Sequence, residues 1–157
     1  MALPSWSELR SGRGCTLCAP RPDITESAYF ACKLPMSSLY VARDQTYRGT
    51  CVVIYDPAHA TRPSELSDEA WRQFATDART AERAASIVFK PDHVNLECLG
   101  NTVPHLHIAI IPRYRSDPRW GSPIWTTKRN EISTTPASDE QCAKIAGALR
   151  EVINGAA

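Results

Sequence analysis

Residues Pro104 to Arg113 read Pro-His-Leu-His-Ile-Ala-Ile-Ile-Pro-Arg, and no other stretch constrains the fold as tightly. A strand turns successive side chains to opposite faces, which sets Leu106, Ile108 and Ile110 on one side and His105, His107 and Ala109 on the other. The first side is apolar enough to be core. The second carries two imidazoles about 6–7 Å apart at their Cα atoms, given the rise per residue. One wall of such a strand packs and the other is left for chemistry. Three readings of His-x-His stand open: two half-exposed side chains without a role, a metal-ligand pair, or a nucleophile. Neutral imidazole at pH 7 attacks phosphorus when one ring nitrogen is held by an acceptor.

The other elements follow from local pattern. Tyr29–Lys33 and Ser38–Ala42 read as short strands around Pro35, and the β-branched run Thr50–Tyr55 as a strand ended by Asp56-Pro57. Ser67, followed by Asp68 and Glu69, caps a long helix whose apolar face is Trp71, Phe74, Ala75, Ala78, Ala81 and Ala85. That helix ends near Ile87–Phe89. Val94–Leu99 alternates as a strand, Gly100-Asn101 is a turn, and His105–Ile111 is a strand closed by Pro112. Ser138 with Gln141 forms a capping box before a last helix, with Cys142, Ile145, Ala146, Leu149, Val152 and Ile153 inward. The first twenty or so residues read as an extended lead-in, and 115–135 as a loop rich in Pro and Trp. Neighbouring strands with one long helix between them predict an α+β domain on a mainly antiparallel sheet. At 157 residues, the chain is expected to form one domain.

Charge narrows the partners. Lys plus Arg is 18 against 17 for Asp plus Glu, without the basic excess of a duplex nucleic-acid binder. A small phosphorylated ligand needs only a local site, so it stays open. No stretch approaches the roughly 20 apolar residues of a membrane span, and the first apolar run is too short for a signal peptide. The expected compartment is the cytoplasm, with no membrane partner. Of six cysteines, Cys32, Cys51, Cys98 and Cys142 are expected as small buried hydrophobes. Cys15-Thr16-Leu17-Cys18 reads as zinc ligands, a redox pair or chance, and the βαβ setting of a redox motif is missing.

Asn101-Thr102-Val103-Pro104-His105-Leu106-His107-Ile108-Ala109-Ile110-Ile111-Pro112-Arg113 resembles the signature of the histidine-triad (HIT) family of nucleotide hydrolases and transferases. Thr50–Tyr55 running into Pro57-Ala58-His59 resembles the family's second landmark, and Leu66-Ser67-Asp68-Glu69 its helix start. The resemblance covers roughly residues 15 to 115, with a tail and C-terminal helix over 116–157. The tail from Asp117 to Trp125 looks like an extension of a bacterial subgroup. The fold implied is HIT-like. The function implied is a hydrolase or nucleotidyl transferase acting at an α-phosphate through a nucleotidyl group carried on His107.

The resemblance also assigns roles. Asn101, Thr102, His105 and His107 match nucleotide- and phosphate-binding positions, with backbone carbonyls of the adjacent strand fixing the His107 tautomer. Cys15, Cys18, His59 and His105 match a structural Zn²⁺ set, a closed Cys₂His₂ site by its ligands. Dinucleoside polyphosphates, phosphoramidates and adenylylated small molecules are the implied substrates, and a homodimer the implied assembly. Ala109 stands where the family has its third histidine and can neither donate a proton nor bind phosphate. The alternative function is therefore a weakly active or non-catalytic nucleotide-binding protein. If it is an enzyme, its rate is expected to depend steeply on the leaving group. Arg113 could meet phosphate or a carboxylate, and His93 is expected at the surface.

Overall fold

In the computed structural model, residues 4–117, 119–126 and 136–155 are described. Five runs pair into one antiparallel sheet: β1 (Ala28–Leu34), β2 (Ser37–Ala42), β3 (Cys51–Tyr55), β4 (His93–Glu97) and β5 (His107–Arg113). Their order across the sheet is β1-β2-β3-β5-β4. Two more elements join α1 (Trp6–Arg10): the long helix α2 (Asp68–Phe89) and α3 (Asp139–Gly155). The α+β expectation holds.

Both long helices cover one sheet face. Leu39 and Val41 from β2, Cys51 and Val53 from β3, and Ile108 and Ile110 from β5 meet Phe74, Ala78, Ala81 and Ala85 of α2. Ala146 and Leu149 of α3 close the same core. The small alanines bring α2 close to the sheet, and burial of these side chains supplies the main driving force. Among the described residues, no helix is long and apolar enough to cross a membrane.

The caps are as the sequence predicts. Ser67 Oγ accepts the Ala70 amide, and Ser138 and Gln141 exchange hydrogen bonds at the start of α3. Several boundaries differ. The lead-in is not extended throughout: Ser5 and Glu8 form a reciprocal capping box that starts α1. β4 ends at Glu97 rather than Leu99, before the turn that Gly100 makes at φ +81°. β5 lies two residues further along than expected. It runs through Pro112, which pairs with Val94, and begins at His107 because the His105 amide turns back to the Val103 carbonyl. Cys51 and Cys142 are buried and Cys32 packs against the core, but Cys98 is exposed. Much of the 115–135 loop lies outside the described residues.

Candidate functional site

The sheet face away from the helices holds the candidate site. His107 leads β5 onto this face, and its Nδ1 lies 2.6 Å from the His105 carbonyl oxygen. A carbonyl only accepts, so Nδ1 carries a proton, and in the neutral ring the lone pair is on Nε2. The acceptor is thus the chain's own backbone two residues back, not the adjacent strand. A cleft of about 440 Å³ opens beside the ring, lined by Leu17, Leu99, Asn101, Thr102, His107 and Trp125, among others. Asn101 and Thr102 are exposed in the turn that Gly100 permits, with side chains that make no hydrogen bond among the described residues. They are donors placed at the mouth of the cleft.

His105 leaves that face. Because β5 starts after it, its ring is 1 % exposed and both nitrogens are engaged away from the cleft. Nε2–H donates to the Tyr55 carbonyl at 2.7 Å, which leaves the Nδ1 lone pair 3.5 Å from Cys15 Sγ and 3.7 Å from Cys18 Sγ. His59 repeats the arrangement, with Nε2 3.2 Å from the Arg10 carbonyl and Nδ1 3.4 Å from Cys18 Sγ. All four ligand atoms lie within 4.8 Å of one another. The zinc bond lengths and a tetrahedral angle place S and N ligands about 3.5 Å apart, so the donor set fits. Carbonyls behind both imidazoles fix the tautomers that a metal requires. Burial, the largest cause, holds the His105 imidazole below the usual histidine range, favouring the neutral ligand form, and pushes the Cys18 thiol up.

The scaffold behind this cluster was not legible in the sequence. Gly12, at φ +88°, passes so near His59 that a Cβ there would sit 3.1 Å from the ring. Arg21 donates to the Leu17 carbonyl, inside the Cys15–Cys18 loop, and pairs with Asp56 just after β3. Asp56 also accepts from Ser38 Oγ at 2.6 Å and Lys33 Nζ at 2.8 Å. Leu17 therefore links the two sites: its carbonyl is held by Arg21 while its residue lines the His107 cleft. Arg113 faces neither ligand site. It is buried and donates to Asp117 and to the Ser122 and Arg119 carbonyls. His93 is exposed, as expected.

The sequence matches the HIT domain family over residues 28–116, more than half of the chain. A histidine triad protein from Bradyrhizobium japonicum is similar in structure, with a TM-score of 0.73 and 26% identity, over 82% of this chain and 92% of its own. A zinc-bound histidine triad family protein from Mycobacterium smegmatis has a TM-score of 0.57 at 16% identity, over 94% and 91% of the two chains. For a diadenosine triphosphate hydrolase from Plasmodium falciparum the values are 0.60 and 18%, over 80% and 76%. At those identities the last two show likeness of fold alone. No curated protein matches the chain. With the sheet order, the two-histidine segment and the family match in agreement, the chain belongs to the HIT domain family, whose members generally bind nucleotides and act as hydrolases or transferases.

Proposed function

We propose that this protein cleaves or transfers a nucleotide at its α-phosphate through a covalent nucleotidyl-His107. The observation that carries the reading is the Nδ1–H to carbonyl hydrogen bond, which leaves Nε2 as a free nucleophile beside the cleft. In the first step Nε2 attacks phosphorus, the N–P bond forms and the bond to the leaving group breaks. In the second, water or an acceptor attacks phosphorus and Nε2 leaves. Nδ1 keeps its proton throughout, and the His105 carbonyl stabilises the cationic imidazole ring of the intermediate. Asn101 and Thr102 supply phosphate donors, and the apolar wall of Leu17, Leu99 and Trp125 suits the nucleoside. Dinucleoside polyphosphates, nucleoside phosphoramidates and adenylylated small molecules share the required α-phosphate. The diadenosine triphosphate hydrolase of the same fold supports that class.

Cys15, Cys18, His59 and His105 are proposed to hold a structural Zn²⁺, a reading supported by the zinc-bound relative and by the paired tautomers. When bound, the metal staples the lead-in to the sheet and supplies no open position for water. A homodimer through β4 is also proposed, because that strand is a sheet edge with Leu96 and Leu99 half exposed beside it. Turnover of diadenosine tetraphosphate or a fluorogenic adenosine phosphoramidate tests the enzyme reading. Wild-type turnover lost in His107→Ala supports it, whereas equal turnover in the variant overturns it.

A further inference from the structure

Two residues past His107 on the same face stands Ala109, a methyl group where proton transfer to a leaving group would be expected. The sheet register puts Glu97 of β4 directly opposite Ala109. Directly opposed residues of an antiparallel pair share a face, with Cβ atoms about 5 Å apart. Small Ala109 leaves room beside the longer Glu97 side chain. Leu99, two residues beyond Glu97, already lines the His107 cleft. On the other side of the Glu97–Ala109 pair lies a second cavity, of about 320 Å³, whose lining includes His93, Asn95, Arg113 and Trp120. Along the chain, Glu97 stands between Leu99, which lines the first cavity, and Asn95, which lines the second.

We propose that Glu97 is the proton donor to the leaving group, the catalytic part that Ala109 cannot play. This rests on the nucleotidyl-His107 reading. As Nε2 bonds to phosphorus and the bond to the leaving oxygen or nitrogen breaks, the Glu97 carboxyl gives its proton to that atom and becomes a carboxylate. In the second step the carboxylate takes a proton from the attacking water, and Nε2 is released. The balance closes with no further reactant. Burial, its largest influence, raises the Glu97 carboxyl above the ordinary value despite Arg113 and the Asn95 side chain, which lower it. The charged or titratable groups on this face beside it are His93 on its own strand and His107 and Arg113 on β5. A bound phosphate adds negative charge and favours the protonated acid further.

The test is a series of adenosine 5′-phosphoryl esters whose leaving groups run from p-nitrophenol through phenol to an aliphatic alcohol. With Glu97 supplying the proton, wild type is expected to show a shallow dependence of log rate on leaving-group pKa, in place of the steep one expected from Ala109 alone. Glu97→Gln, similar in shape but without the acid, is expected to lose about 10²–10⁴-fold on the aliphatic ester and far less on the p-nitrophenyl ester. A wild-type dependence as steep as that of Glu97→Gln overturns the proposal, and so does an equal loss on every ester. Formation of the nucleotidyl adduct from the p-nitrophenyl ester is read separately by intact mass in both proteins. If neither protein forms it, the His107 reading fails. If both form it with the same slope, only the Glu97 assignment fails.

Discussion

Asp77 lies on the inward side of α2, 1 % exposed, where helical spacing calls for an apolar residue. Its carboxylate accepts from the Met36 amide at 2.8 Å, Ser37 Oγ at 2.7 Å and Gln73 Nε2 at 3.1 Å. The helix thus holds the β1–β2 turn through one side chain. No local pattern announces this, because Met36 and Ser37 lie some forty residues away. Asp77→Ala leaves a buried amide and hydroxyl unpaired and is expected to cost about 2–4 kcal/mol in urea unfolding. Asp56 gives a prediction with a sign. Burial pushes its carboxyl up, but hydrogen bonds from Lys33, Ser38 and Arg21 outweigh that and hold it below the ordinary value. A folded-state pKa below the unfolded one adds stability at neutral pH, and that share is lost as pH falls through the lowered value. Asp56→Asn should therefore be less stable than wild type at pH 7, and the two unfolding free energies should converge in acid. The proposed nucleophile, by contrast, sits on a segment that the sequence singles out: His107 stands in an apolar strand, while the hydrogen bond that fixes its tautomer depends on the turn at His105.

At the scale of elements, the lead-in behaves as a unit clasped to the sheet. α1 offers the Arg10 carbonyl to His59, Gly12 clears the ring, and Arg21 ties the Cys15–Cys18 loop to Asp56. Without a metal, the two thiols have only weak hydrogen bonds to offer the lone-pair nitrogens of His105 and His59. Purified protein is expected to carry about one zinc per chain, with Cys18→Ser losing it and melting at a lower temperature. Hydrogen exchange should show the amides of residues 5–22 opening first on chelation while β2, β3 and β5 stay protected. Fully folded protein without zinc at any stage contradicts the metal assignment. Strand and helix order could be read from periodicity, since apolar runs and caps are local. The two-residue shift of β5 could not. It follows from tertiary bonds, including Leu106 N–H to the Ala60 carbonyl, that pull His105 out of the strand.

For the whole molecule, the sheet has one face covered by helices and one that holds the candidate site, and among the described residues β4 is an edge strand, with Leu96 52 % exposed. Leu96→Asp places a charge on that edge and should shift sedimentation from dimer to monomer with the far-ultraviolet spectrum preserved. A wild-type protein that sediments as a monomer at micromolar concentration rules the edge out as a stable interface. The central claim concerns His107, and the most direct measurement is the site of covalent attachment. Wild-type protein mixed with adenosine 5′-phosphoryl p-nitrophenyl ester and quenched without acid should gain the mass of one adenylyl group. Fragmentation should place that group on His107, and His107→Ala should gain nothing. An adduct on any other residue, or full turnover by His107→Ala, would contradict the account.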